Sequence, residues 1–105
     1  MTADEMSLNN YGEFGEPIAR RELNLKATGA PVLVDLAAPR MHALGWVCPY
    51  RITGIGDEPI TGSMAGVDSM QALQNGMMIL DAMLQSTGAA VTFDGGDPGL
   101  KITLG

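Results

Sequence analysis

Few side chains in this sequence could do chemistry. Cys48 and His42 are the only thiol and the only imidazole in 105 residues. A cysteine–histidine nucleophile needs the two in hydrogen-bond contact, with a third group to orient the base. Cys48 sits in the run WVCPYRIT, whose alternation puts it on one face with Trp46, Tyr50 and Ile52. A free cysteine in that setting acts as a small buried hydrophobe. His42 lies in ARMHALG, which reads as a loop. No catalytic residue is expected from this pair. No CxxC or HxxxH spacing exists to hold a metal.

Glycine clusters offer a second chemistry. Gly54-Ile55-Gly56 leads into a strand and so lacks the helix N-terminus that receives a phosphate. Gly62 to Gly66 does precede a helix, but Asp68 takes the N-cap and repels an anion, and the lysine of a P-loop is missing. Turns and bulges account for these glycines. Asp94 and Asp97 around Gly95-Gly96 fall short of the six to eight oxygens of a calcium loop. Asp57 and Glu58 are neighbours on one hairpin tip and do not face each other across a cleft, as an acid/base pair must. Of the eight methionines, Met64, Met70, Met77, Met78 and Met83 fall on the fourth expected strand or the helix, mostly in phase with a core. No cofactor and no metal is expected.

The segment that positions everything else is the helix. Asp68 is an N-cap and Gln71 closes a capping box. Met70, Leu73, Met77, Leu80 and Leu84 then recur every three or four residues, flanked by Ala72, Gly76, Ile79 and Met83. Met78 lies at the edge of this stripe. Gly76 costs about 1 kcal/mol against alanine, which close approach of a strand would offset. The helix should end near Ser86, with Gly88 in the left-handed C′ position.

Strands are expected around it. Residues 18–28 alternate with Leu23, Leu25 and Ala27 on one side. Residues 31–38 put Val32, Val34 and Leu36 inward and Asp35 outward. Residues 46–53 carry Trp46, Cys48, Tyr50 and Ile52 on one face and Val47, Pro49, Arg51 and Thr53 on the other. Pro49 marks an edge, a bulge or an outward N–H. Residues 60–65 complete a hairpin, and residues 90–94 and 100–104 form another around 95–99. The fold class is α+β: an antiparallel β-sheet in the order ββββαββ, with one amphipathic helix packed on one face. Residues 1–16 form an acidic N-terminal arm, read as a solvated, solubilising tail rather than a site for a basic partner, with Tyr11 and Phe14 as its anchors. Residues 17–105 form a single domain.

Composition narrows the function classes. Hydrophobic residues make up 46% and charged residues 17%, which suits a compact globule. The net charge is −6 and the six bases are scattered, so nucleic acid is excluded as a partner. No apolar run reaches the roughly 18 residues of a membrane span. One cysteine and no secretory signal point to a reducing, cytoplasmic setting of bacterial type.

Three segments carry a resemblance: Arg21-Glu22-Leu23, then Trp46-x-Cys48-Pro49-Tyr50-x-Ile52-x-Gly54, then Gly66-x-Asp68-x-x-Gln71-Ala72-Leu73. Over about residues 18–88 the chain resembles a family of small uncharacterised bacterial proteins that occur as stand-alone chains. The resemblance implies a fold unit and transfers no catalytic residue.

The expected role is non-enzymatic: an interaction or assembly domain that binds itself as a homodimer or binds another protein. The alternative is a small-molecule binder or minor enzyme, with a pocket between sheet and helix near Trp46, Tyr50 and Arg51. In it Arg51 would clamp an acidic ligand, although a regular strand points Arg51 away from the other two.

Overall fold

A computed structural model describes residues 14–43 and 45–100. Tyr11 and the rest of the arm through residue 13 lie outside the described residues, as do residues 101–104 of the last expected strand. The elements are β1 (Pro17–Leu25), β2 (Pro31–Ala37), β3 (Arg40–His42), β4 (Gly45–Thr53), β5 (Ile60–Gly66), α1 (Ser69–Ser86) and β6 (Val91–Thr92). All pairings are antiparallel. β5 runs along residues 46–52 of β4, while β3 and β2 divide its other edge between residues 45–47 and 50–53. The sheet therefore reads β5, β4, then β2 with β3, then β1 and β6. The class is α+β, as expected.

The order differs in one respect. ARMHALG is not all loop: Arg40, Met41 and His42 pair with Val47, Trp46 and Gly45. The chain breaks at Ala38-Pro39 and then resumes along the same edge of β4, so five strands precede the helix. β1 also stops at Leu25, where a turn over residues 26–28 replaces the last three expected positions. The C-terminal hairpin is tighter than expected. Phe93 and Gly96 exchange both backbone hydrogen bonds, at 3.0 and 2.9 Å, around Asp94 and Gly95. Both central residues have positive φ (51° and 81°), the requirement of a two-residue turn matched to strand twist.

The helix forms where its caps and periodicity place it. Asp68 Oδ1 accepts from the Gln71 amide at 2.8 Å, and Gln71 Oε1 accepts from the Val67 amide at 2.7 Å, one residue before the N-cap. Gly88 follows the C-cap at φ 72°. α1 lies over β4 and β5. A Cβ on Gly76 would stand 2.8 Å from Cys48 Sγ and 3.2 Å from Leu36 Cδ2. A Cβ on Gly66 would collide with the backbone of Gln71 and Ala72, so this glycine lets β5 turn directly under the first helical turn. The core beneath is Leu23, Val32, Val34, Leu36, Cys48, Tyr50 and Ile52 from the sheet, with Ala72, Leu80 and Leu84 from the helix. Each fully buried large aliphatic here contributes about 1.5–3 kcal/mol.

Two expectations about burial fail. Met70 and Met77 are exposed, as is Met78, because the buried line of the helix runs through Ala72, Gly76, Leu80 and Leu84. A helix seated on small residues sits deep, and only a narrow arc is covered. Asp35 points away from the helix, as the alternation requires, yet it is fully buried. The second face of the sheet is thus not a solvated face.

Candidate functional site

Alternation along β4 puts Trp46, Cys48, Tyr50 and Ile52 against the helix and sends Val47, Pro49 and Arg51 to the far side. The pocket imagined near Trp46, Tyr50 and Arg51 is therefore divided by the sheet. Tyr50 is buried in the helix-side core, where desolvation raises its phenol above the ordinary range. Trp46 packs against the same core and pairs with Met41 across to β3.

Arg51 belongs to a different constellation. Strand register sets Arg20 opposite Asp35 and Asp35 opposite Arg51, three charges in a row across β1, β2 and β4. Arg20 donates from Nε and Nη2 to the two carboxylate oxygens at 2.5 and 3.2 Å. Arg51 adds Nη2 to Oδ2 at 3.4 Å. The side chains of Arg20 and Arg51 are 47% and 29% exposed, whereas Asp35 is 0% exposed. The hydrogen bond and charge of Asp35 raise the Arg20 guanidinium further above its usual value. The Phe14 ring lies 4.2 Å from the Arg51 guanidinium carbon, a cation–π contact that anchors the start of the described chain. The Arg51 Nε is buried without a hydrogen-bond partner. Glu22, two residues along β1 from Arg20 and so on the same face, also raises the Arg20 guanidinium, so the two cations stand among two carboxylates.

The neighbouring apolar positions on this face are also closed. Val47 and Pro49 of β4 and Ala37 of β2 are buried, and Ser63 of β5 nearly so. Asp35 was the residue missed by sequence reasoning. The available signal was a lone carboxylate in the middle of a strand, with arginines at the matching position of each neighbouring strand.

Cys48 holds no reactive arrangement. Its sulfur donates weakly to the carbonyls of Ala37 and Pro49 at 3.5 and 3.9 Å, and burial pushes the thiol up to about 11. Thiolate is the nucleophilic form, so such a thiol is inert near neutral pH. Among the described residues no three His, Cys, Asp or Glu side chains are grouped to hold a metal ion.

On the helix side the sheet is covered unevenly. α1 leaves a groove of about 190 Å³ between itself and β1, floored by Val34 and Leu36 and walled by Ala19, Met77 and Leu80. Arg21 stands at its rim. It donates to the carbonyls of Pro98 and Gly99 at 3.0 Å each, and its guanidinium carbon lies 4.5 Å from the centre of the Phe93 ring. These contacts bind the C-terminal segment over the groove.

The two ends of the sheet differ in character. β1 carries Arg20, Arg21 and Glu22 and meets β6 only at Asn24 and Leu25. β5, ITGSMAG, carries no charge, and its edge away from β4 has no strand partner among the described residues. No described helix is long and apolar enough to cross a membrane.

No curated protein and no solved structure matches the chain. A family model matches residues 19–101, beyond the 18–88 of the sequence resemblance, and it takes in the C-terminal hairpin. The chain belongs to that family, the domain of unknown function DUF6968.

Proposed function

We propose that this protein is a non-enzymatic assembly domain that pairs with a second copy of itself along the outer edge of β5. The observation that carries the reading is that edge: seven residues without a charge and with no strand partner beyond β4 among the described residues. Backbone donors and acceptors left without a strand partner invite pairing with another strand. On β5 Gly62 and Ser63 are buried and the Ala65 carbonyl accepts from Asn75 Nδ2 at 2.8 Å, so the other edge groups would carry the pairing. Natural edges that avoid it carry lysine, proline or inward charge, as β1 does with Arg20 and Arg21. Two copies related by a two-fold axis would join β5 to β5 antiparallel and continue the sheet across the dimer. A cytoplasmic setting is part of the proposal, since the single cysteine is a free thiol.

Ala65→Lys tests it, because Ala65 is exposed on β5 and a lysine there puts a charge on an edge that carries none. Light scattering after size exclusion should show the wild type at twice the chain mass and the variant at the chain mass. Glu22→Lys on β1 should leave the dimer intact. A wild type that is monomeric at every concentration, or an Ala65→Lys dimer, contradicts the reading.

A second reading rests on the groove beside Arg21. Its shape suits the tail of an aliphatic carboxylate, with Leu36 and Leu80 below and Arg21 at the head. Its 190 Å³ is below the roughly 300–1,000 Å³ of typical ligand pockets, which ranks it second. Octanoate should raise the melting temperature under this reading and leave it unchanged under the first.

A further inference from the structure

The sheet face opposite the helix poses a covering problem. Val47, Pro49 and Ala37 point away from α1 and are buried, yet no described helix or strand lies over them. The same face carries Arg20, Arg51 and, opposite Val47, Arg40, three cations against the two carboxylates of Asp35 and Glu22. Whatever closes it must bring apolar side chains for the first group and carboxylates for the second.

Phe14 shows where the cover comes from. Its ring stacks on Arg51 of β4, while β1, which begins three residues later at Pro17, is separated from β4 by β2. The chain preceding Phe14 therefore starts above the middle of this face. Residues 1–13 contain Asp4, Glu5 and Glu13 with no lysine or arginine, and Met6, Leu8 and Tyr11 among them are apolar or amphipathic. Thirteen extended residues span about 40 Å, whereas four strands of a sheet are about 15–20 Å across. Reach is ample, and both charge and hydropathy are complementary.

We propose that the acidic arm, residues 1–13, is the occupant of this face and docks across β4 and β2 beside the arginine cluster. The arm is then an interaction element, and the arginine face is its binding surface. An acidic segment of another protein could use the same surface only by displacing the arm. This inference is independent of the β5 edge.

The test uses the full chain with a nitroxide on Ser7→Cys. Cys48 stays unlabelled because it is buried and its thiol is pushed up to about 11. In a sample labelled with ¹⁵N, amide signals of Asp35, Val47 and Ser63 should broaden strongly, while those of Gln74 and Gln85 on the outer side of the helix should not. Replacing the carboxylates (Asp4→Asn, Glu5→Gln, Glu13→Gln) should at least halve that broadening. Uniform broadening, broadening on the helix side, or no effect of the replacements would overturn the proposal. So would broadening seen only when unlabelled nitroxide chains are mixed with ¹⁵N chains, since a second copy's arm would then be the occupant.

Discussion

The two faces of this sheet are closed by opposite means. On one, a helix is pressed so close that two glycines are required: Gly76 over Cys48, and Gly66 under Ala72. Its energy comes from apolar burial, and its polar requirements are met at the helix ends by Asp68 and Gln71. On the other, a fully buried carboxylate is held by two arginines whose outer parts stay in water, with Phe14 laid on one of them. Apolar packing tolerates small errors by relaxing. A buried charge does not, because removing one partner leaves the other uncompensated. The second face should therefore be less tolerant of a single change, although fewer residues build it. With the helix on one face and the arm proposed for the other, the rim of the sheet is the surface proposed for pairing.

Asp35→Ala should have the largest effect. It leaves two arginines facing a partly apolar surface. Because their outer parts reach water, the loss should fall at the low end of the roughly 3–5 kcal/mol for a broken buried pair. Urea unfolding of the variant would read it, and a loss below about 1 kcal/mol would place Asp35 among ordinary surface pairs. Gly66→Ala comes next. The added methyl meets main chain, which cannot rotate aside, so about 3 kcal/mol should be lost by the same measurement.

Gly76→Ala should cost less, about 1 kcal/mol. Its clash is with the Cys48 and Leu36 side chains, and the helix gains about 1 kcal/mol from alanine. If Cys48 is the obstacle, Gly76→Ala combined with Cys48→Ala should be more stable than the sum of the two single losses. Additivity would break that part of the comparison.

The smallest effect is alkaline and belongs to the helix face alone. Burial pushes the Cys48 thiol from 9.0 up to about 11 and raises the Tyr50 phenol. Each is neutral in the folded chain at pH values where the unfolded chain has begun to ionise. The stability is complete below pH 9 and is lost as the pH climbs toward about 11. A melting curve series over that window should fall for the wild type and fall less for Cys48→Val.

Much of the helix side was legible from residues alone. Asp68, Gln71 and Gly88 mark the ends of α1, and Gly76 announces a close approach because a mid-helix glycine needs a reason. The alternation of Trp46, Cys48, Tyr50 and Ile52 fixes which side of β4 the helix covers. The rest depended on pairing across the sequence. β3 is three residues long and has no pattern of its own, since only the neighbouring edge of β4 makes it a strand. The burial of Asp35 is set by its lateral neighbours on β1 and β4, which alternation within β2 cannot reveal. Met70 and Met77 looked like core because helical phase gives direction without depth. The family match confirms a shared fold unit that extends to residue 101, and it leaves the role of that unit to be read from its geometry.

The β5 edge is the functional claim, and amide hydrogen exchange at two protein concentrations tests it most directly. At about 5 µM and about 500 µM the populations of monomer and dimer differ by mass action. The account predicts that amides of Ile60–Gly66 facing away from β4 exchange rapidly in the dilute sample and become protected in the concentrated one, with β1 unchanged. Equal exchange of β5 at both concentrations, or new protection confined to β1, would contradict it.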